Sequence, residues 1–418
     1  MPGNGGIMRT SFKSLSFLVV CGVLGAADSI QAQGLPAGSL LDAIGNGKPS
    51  LNLRPRYEHV EQDGKPENAD AFTMRTLLGW RTGQWHGLSV YVEGINVGHL
   101  GPERYNDDPA RVSPYPLVAD PDSSDVNQMY ADYTGLSNTV VRAGRQSLKL
   151  DNVRFIGNVE FRQVMQVFNA VTVENNSLPN TRLYAGYLLR QKTVFDTQRD
   201  INEPFFNARY TWKPNNVAIG YAYLQDQANT GQATGFADNS NKIVGFRADG
   251  HYPVSDSWGV LYTAEYAKQD PYSGGDPRID ADYYHVALGV QRKDAFVRLD
   301  QEKLGSNNGL YGFQTPLGTN HLFQGWADLF LTTPKQGIRD TYVAGGAKLY
   351  KATFYGEYHW YRSDFGNFDF GHELDLAVSY PFLKSLVGKI EFADYRAGDP
   401  ISAKVDTRKI WFTLIYNY

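Results

Sequence analysis

Apolar and polar residues alternate with a period of two along most of the chain from residue 50 onward. In "LNLRPRYE", Leu51, Leu53 and Tyr57 fall on one side of this period, and Arg54 and Arg56 fall on the other. The segment "AFTMRTLLGWR" separates an apolar row from an arginine-bearing row in the same way. Side chains that alternate between two faces indicate β-strands. About eighteen such segments, each about ten residues long, follow one another between clusters of turn-forming residues.

The connections between these segments alternate in length. Short connections such as "TGLSNT", "KPNN" and "RKD" alternate along the chain with long ones near residues 98–125, 147–165, 269–281 and 304–339. This asymmetry is typical of outer-membrane barrels, which have short periplasmic turns and long extracellular loops. The sequence therefore predicts an all-β fold, a transmembrane antiparallel β-barrel of about 18 strands with both termini on the periplasmic side.

The segment "TRKIWFTLIYNY" is the predicted closing strand. Ile410, Phe412 and Leu414 form an apolar row that would face lipid, and Trp411 alternates with them. Backbone groups at membrane depth need partners, so we expect this strand to pair with the first one. We also expect the aromatic end at Tyr418 to be bound by the barrel-assembly machinery. A soluble propeller or solenoid is the alternative, but the sequence shows no repeat of fixed period.

The first residues are typical of an export signal. Arg9 and Lys13 precede the apolar stretch "LSFLVVCGVLGAA", and Ala32 offers a small residue for cleavage. We predict a signal peptide over residues 1–32, a short periplasmic lead over 33–49, and an outer-membrane barrel over 50–418.

The cysteine content and the net charge further restrict what the mature protein can be. The single cysteine, Cys21, lies inside the predicted signal peptide, so the mature chain would contain no thiol. A lipoprotein cysteine usually follows a small residue, whereas Val20 precedes this one. The net charge of −4 is mild and mixed in sign and gives no case for a nucleic-acid partner. We expect the chain to lie in the bacterial outer membrane, in contact with its lipid.

Several ordered motifs resemble a known family. "YADYTGL", "VVRAGRQSLKLDN", "HLFQGWADLF", "YGEYHWYR" and "GHELDLAVSYPF" follow one another over most of the mature chain and resemble the alginate export family of outer-membrane barrels. The resemblance implies an anion-selective pore that secretes an anionic polysaccharide with the help of a periplasmic export scaffold. An uptake or general diffusion porin for small anionic or aromatic solutes is the alternative that stays open.

The polar rows of the strands would project into the lumen of such a barrel. Guanidinium groups bind carboxylates in bidentate fashion, so arginines at several heights would pass an anionic saccharide along the pore. The candidate substrate-binding residues are Arg54, Arg56, Arg75, Arg81, Arg142, Arg182, Arg298, Lys348, Glu373 and Asp375. Four of these arginines lie on the first two strands and predict an electropositive constriction. The alternative is that the charged rows only stabilise the barrel wall.

Two long connections carry further candidate residues. Residues 304–339 contain an aromatic cluster and either fold inward to constrict the pore or form an outer cap or an additional hairpin. The segment "RQSLKLDNVRFIGNVEFRQ" predicts a basic extracellular mouth, with a solvated loop as the alternative. The residues proposed for this mouth are Arg145, Lys149, Arg154 and Arg162.

No enzymatic motif stands out. The eight histidines form no HExxH pair, and no GxSxG motif is present. His285 with Asp282, or His372 with Glu373, would be candidate catalytic pairs, but lumen histidines are the more common explanation. We therefore expect a pore without catalytic residues, metal ions or cofactors.

Overall fold

The computed structural model describes residues 37–213, 215–227 and 235–418. The predicted signal peptide lies outside the described residues, and the predicted periplasmic lead is described from residue 37. A short helix, α1 (Leu40–Gly45), precedes the first strand. Among the described residues, no helix is long and apolar enough to cross a membrane.

Eighteen long strands form one sheet, and two short strands form a separate hairpin. The strands are β1 (Lys48–Gln62), β2 (Ala69–Arg81), β3 (Leu88–His99), β4 (Ser123–Leu136), β5 (Thr139–Gln146), β6 (Val167–Asn175), β7 (Thr181–Lys192), β8 (Gln198–Lys213), β9 (Asn216–Gln225), β10 (Asn241–Pro253), β11 (Trp258–Pro271), β12 (Ala281–Arg292), β13 (Ala295–Leu304), β14 (Ser306–Asn307), β15 (Tyr311–Gly312), β16 (Ile338–Leu349), β17 (Ala352–Arg362), β18 (Asp369–Leu383), β19 (Leu386–Arg396) and β20 (Thr407–Asn417). Two 3-10 turns cover Asn320–Leu322 and Pro400–Ser402.

The long sheet closes into a barrel. Each long strand pairs antiparallel with its neighbours along the chain, and β1 pairs with both β2 and β20. At the closing seam, the Leu51 N–H donates to the Tyr418 carbonyl at 3.1 Å, and the Tyr418 N–H donates to the Leu51 carbonyl at 2.9 Å. The predicted antiparallel barrel of 18 strands, closed by its last strand, is confirmed.

The two ends of the barrel differ, as the sequence predicts. At one end, short turns such as residues 137–138, 293–294 and 384–385 join consecutive strands. At the other end, the connections include residues 100–122, 147–166 and 305–337. Helix α1 lies at the short-turn end, where the Gly83 N–H donates to the Ala43 carbonyl at 2.7 Å.

The strand faces follow the predicted alternation. Phe412 and Leu414 on β20 point outward and are each 45% exposed, whereas Trp411 between them is fully buried inside. On β2, Leu78 is 63% exposed on the outside and Arg75 is buried inside. An apolar outer face and a polar inner face are the arrangement that suits hydrocarbon outside and water inside.

Two of the long connections fold into the barrel. We call residues 147–166 segment A and residues 305–337, which include the β14–β15 hairpin, segment B. Phe155 of segment A packs on Tyr221 and Tyr283 of the wall, with ring centroids 5.2 and 5.3 Å apart. Phe330 of segment B packs on Tyr361 at 5.0 Å. Of the alternatives for residues 304–339, the structure shows the inward fold.

The two segments also contact each other. The Gln166 side-chain amide donates to the Leu317 carbonyl at 2.9 Å, and the Thr319 N–H donates to the Val153 carbonyl at 2.9 Å. A Cβ at Gly157 would lie 2.1 Å from the Thr319 hydroxyl oxygen, so glycine is needed where the segments meet. Segments A and B therefore form one plug-like unit within the lumen.

The orientation of the barrel predicts which ends react with a membrane-impermeant thiol reagent. Val112 lies in a long connection and is fully exposed, and Ser255 lies exposed in a short turn. With Val112→Cys, intact cells should be labelled by a charged maleimide. With Ser255→Cys, labelling should require permeabilised cells, because the short turns would lie in the periplasm. Labelling of the Ser255→Cys variant on intact cells would reverse the assigned orientation.

The closing strand should be necessary for barrel formation. Deletion of residues 412–418 removes about half of the paired positions that β20 shares with β1 and β19. The exposed backbone groups would lack partners at membrane depth, so the deletion should prevent refolding in detergent. Deletion of Tyr418 alone is the control and should still give a barrel whose electrophoretic mobility changes on heating. A heat-modifiable barrel formed by the longer deletion would contradict this role of β20.

Candidate functional site

Segment A contacts the wall formed by β1 and β2 inside the lumen, and we call this region the constriction. The Arg54 guanidinium donates to the Glu160 carbonyl at 2.7 Å and to the Gln163 side chain at 2.8 Å. Arg56 donates to the Phe161 carbonyl and pairs with Asp120, which comes from the connection over residues 100–122. Both arginines are buried, and they hold segment A against the wall.

Asp328 joins segment B to this arrangement. Its carboxylate lies 2.6 Å from an Arg162 nitrogen of segment A and 3.1 Å from the Lys409 ammonium on β20, and the His321 ring bonds to it at 2.7 Å. Burial would raise the pKa of Asp328, but Lys409, His321 and Arg162 outweigh burial and hold the pKa well below its usual range. A depressed pKa means that the ion pairs stabilise the fold above the ordinary pKa of an aspartate and are lost only in strong acid. The clamp therefore persists at neutral pH.

The acidic side chains of β18 hold segment B from another direction. The Ala327 N–H donates to Glu373 at 2.6 Å, and the Trp326 N–H donates to Asp375 at 3.2 Å. Gly325 has a φ of +80°, which favours glycine, and its backbone lies close to Glu373. A Cβ at this position would lie 2.3 Å from a Glu373 oxygen. The backbone of segment B is therefore fixed by wall carboxylates on one side and by the Asp328 clamp on the other.

A cavity of about 280 Å³ lies between the two segments and the wall of β1, β2, β18, β19 and β20. Its charged lining residues are Arg54, Arg56, Arg75, Lys149, Lys389, Glu160 and Glu391. Lys149 pairs with Glu160, and Lys389 bonds to Glu391 at 2.7 Å. The lining therefore carries more cationic than anionic groups.

Two arginines that line the cavity, Arg56 and Arg75, each have a buried nitrogen without a hydrogen-bond partner among the described residues, and Arg75 makes the fewer contacts with other side chains. The Nε and Nη2 atoms of Arg75 donate to the Asn52 side-chain oxygen at 3.3 and 2.9 Å. Its buried Nη1 has no hydrogen-bond partner among the described residues. A buried guanidinium donor that lines a cavity is a suitable partner for a carboxylate.

The structure brings together only some of the predicted lumen residues. Arg54, Arg56 and Arg75 line the cavity, whereas Arg81 lies apart and shares Asp132 with Arg142 at 3.2 and 2.6 Å. The remaining predicted residues are placed as follows: Arg182 lies over the Tyr184 ring at 5.4 Å, Arg298 pairs with Asp300 at 2.7 Å, and Lys348 is exposed near the short turns. A role of any of these residues in binding a substrate stays a prediction.

The four residues predicted to form an extracellular mouth do not lie together at a mouth. Arg154 is buried inside and lies 3.0 Å from Glu302, and Arg162 is clamped to Glu58 and Asp328. Lys149 lines the inner cavity, and Arg145 lies on the outer face of β5, opposite Met129. The physical reason is that segment A buries the apolar side chains of Phe155 and Ile156 inside the barrel. The positive charges of its arginines are compensated by carboxylates in the lumen.

Sequence reasoning did not identify two anchors of the constriction, Asp120 and Asp328. Both lie in irregular connections, where no periodicity indicates which way a side chain points. Lys409 was also missed, although it occupies an inward position of β20 that the alternation indicates. This position could have been identified by extending the inward row of Trp411 and Thr413 by one step.

Comparisons with known proteins agree with this architecture. Among solved structures, OccK9 (OpdG) of Pseudomonas aeruginosa is 14% identical with a TM-score of 0.71, over 90% of this chain and 99% of that chain. OccAB3 of Acinetobacter baumannii is 13% identical with a TM-score of 0.69, over 90% of this chain and 100% of that chain. OpdK of Pseudomonas aeruginosa, solved with vanillate, is 14% identical with a TM-score of 0.69, over 90% of this chain and 99% of that chain. At such identities the likeness shows the fold alone.

The family comparison goes further. A search of curated proteins finds no match. The family model described as "Alginate export" matches residues 51–409, which is nearly the whole barrel. The resemblance inferred from the sequence motifs is thereby confirmed, and the chain belongs to the alginate export family of outer-membrane β-barrels.

Proposed function

We propose that this barrel conducts small organic anions across the outer membrane by diffusion through the constriction. The observation that carries the proposal is the cavity of about 280 Å³, which is lined mainly by cationic groups and into which Arg75 brings an unused donor. A narrow aqueous space between low-dielectric walls concentrates counter-ions of the opposite sign. The constriction would thus favour entry of carboxylates over cations.

The cavity volume of about 280 Å³ favours small solutes over polymers. Segments A and B are held from both sides by buried ion pairs and aromatic contacts, so the constriction resists widening. Phe161 and Trp326 line the same cavity as the arginines. A small apolar surface beside convergent cationic groups suits a ring that bears a carboxylate, such as a sugar acid or an aromatic acid.

Export of an anionic polysaccharide is the second candidate, and membership of the alginate export family favours it. Alginate is a polyuronate, so its repeating carboxylates would meet the same cationic lining. An exporter would need a periplasmic scaffold and movement of segments A and B, whereas a diffusion channel would conduct ions when purified alone. Single-channel recording on the purified barrel therefore separates the two candidates.

Arg75 should set the anion preference of the purified channel. With Arg75→Gln, we expect the reversal potential in a salt gradient to move toward cation preference. We also expect block by galacturonate and by vanillate to weaken about tenfold, since a charged hydrogen bond is worth about 1.5–3 kcal/mol. Both effects should be larger at low ionic strength. The measurement is single-channel current in planar bilayers.

Arg81→Gln is the matched control for this experiment. Arg81 lies on the same strand but pairs with Asp132 away from the cavity, so its loss should leave galacturonate block nearly unchanged. If Arg75→Gln folds normally and retains wild-type selectivity and block, the anion site lies elsewhere in the lumen.

The Asp328 clamp should limit the conductance. Asp328→Asn keeps the shape of the side chain but removes the charge that holds Arg162 and Lys409 together. Segment B would then lose its ion pairs with Arg162 of segment A and with Lys409 of the wall, so it should move more freely, and the mean conductance and current noise should increase. Asp200→Asn is the control, because it breaks an exposed ion pair with Arg190 outside this clamp. An unchanged conductance in a folded Asp328→Asn barrel would show that the clamp does not limit the pore.

A further inference from the structure

A second cluster of ionisable side chains lies in the wall beside segment B, away from the cationic cavity. His359 and Glu357 come from β17, and Asp375 and Asp340 come from the neighbouring strands β18 and β16. His359 is 2% exposed, and Asp340 and Asp375 are fully buried. The proposed anion passage does not use this cluster.

Three of these side chains have the spacing of metal ligands. The His359 Nε2 atom lies 3.2 Å from a Glu357 oxygen and 3.6 Å from an Asp375 oxygen, and one ligand atom from each residue fits within 4.8 Å of the other two. Zinc binds imidazole nitrogen and carboxylate oxygen at about 2.0–2.2 Å, so ligands at the corners of a tetrahedron lie about 3.3–3.6 Å apart. The two measured separations from His359 are close to this range.

The other nitrogen of His359 is placed as a metal-bound histidine requires. Its Nδ1 lies 2.9 Å from an Asp340 oxygen, so an N–H at Nδ1 donates to Asp340 and leaves Nε2 facing Glu357 and Asp375. A carboxylate behind the imidazole fixes the ring and increases its basicity, which is the usual support of a histidine ligand. Tyr355 supports Glu357 in turn, because its hydroxyl donates to that carboxylate.

The cluster also contains more acidic than basic side chains, which favours binding of a cation. Asp340, Glu357, Glu373 and Asp375 bring four buried carboxylates around a single imidazole. The Oδ2 atom of Asp375 lies 3.6 Å from His359 Nε2 and accepts the Trp326 N–H, whereas its buried Oδ1 atom has no hydrogen-bond partner among the described residues. A divalent cation would compensate the ionised form of these groups, which a single imidazolium does only in part.

We propose that Glu357, His359 and Asp375 bind one divalent transition-metal ion, with Zn²⁺ the best fit to this donor set. The imidazole nitrogen favours Zn²⁺ over Ca²⁺ or Mg²⁺, which prefer all-oxygen sites. Three protein ligands leave a fourth position for water. Because Asp375 also accepts the Trp326 N–H, the ion would stabilise the wall at the point where segment B is attached.

Metal titration of the refolded barrel in detergent tests the site. After treatment with a chelator and its removal, wild-type protein should bind one Zn²⁺ per chain by calorimetry and by elemental analysis. Co²⁺ should bind in place of Zn²⁺ and give the strong visible absorption of four-coordinate cobalt. His359→Gln and Asp375→Asn should each lose this absorption and weaken Zn²⁺ binding by at least about tenfold.

His285→Gln is the matched control, since His285 is a buried lumen histidine that pairs with one carboxylate, Asp300, at 2.8 Å. This variant should keep the wild-type stoichiometry and spectrum. Wild-type protein that binds no Zn²⁺ or Co²⁺ would overturn the proposal and leave an ion-paired imidazolium as the explanation of the cluster. Folded His359→Gln protein that binds both ions as the wild type does would overturn it as well. The wild-type titration decides the question even if a variant fails to fold.

Discussion

The hydrogen-bonded seam between β1 and β20 is the constraint on which the rest of the structure depends. Hydrocarbon offers no partner to an unpaired N–H or C=O group, so a sheet at membrane depth has to close on itself. Once it closes, each strand must present alternate residues to lipid and to the lumen. Arg54 and Arg56 are directed inward by this rule, because Pro55 and Tyr57 occupy the outward positions beside them. The positions of the first two cationic anchors thus follow from the closure of the sheet.

Closure also creates an interior that must be filled or hydrated. Segments A and B occupy much of it, and they bring apolar side chains such as Phe155 and Phe330 into contact with wall tyrosines. The charged residues between these apolar clusters are buried, so each must find an opposite charge or a backbone group. Arg162 does so through both Glu58 and Asp328, which belong to the wall and to segment B. Charge pairing therefore determines how the two segments are arranged.

Structural features that depend on neighbouring residues can be predicted from the sequence. Contacts between residues far apart in the chain cannot. Strand alternation is local, which is why the inward positions of Arg54, Arg56 and Arg75 could be predicted. Segment A was expected at an extracellular mouth, because no local pattern shows that its carbonyls meet Arg54 and Arg56 about a hundred residues earlier in the chain. Arg145 was assigned to the same mouth, but β5 continues through it to Gln146 and directs it outward.

The cationic cavity and the acidic cluster around His359 lie on different parts of the barrel wall, and segment B contacts both. Arginines and lysines line the cavity beside β1, β2 and β19, whereas the carboxylates around His359 lie on β16, β17 and β18. Trp326 lies at the boundary, where its ring stacks on Tyr355 with centroids 6.1 Å apart and its N–H donates to Asp375. An anion in the cavity is repelled by any carboxylate charge that is neither screened nor compensated. In the proposed anion passage, selectivity would depend on the cationic lining and also on how completely segment B covers these carboxylates.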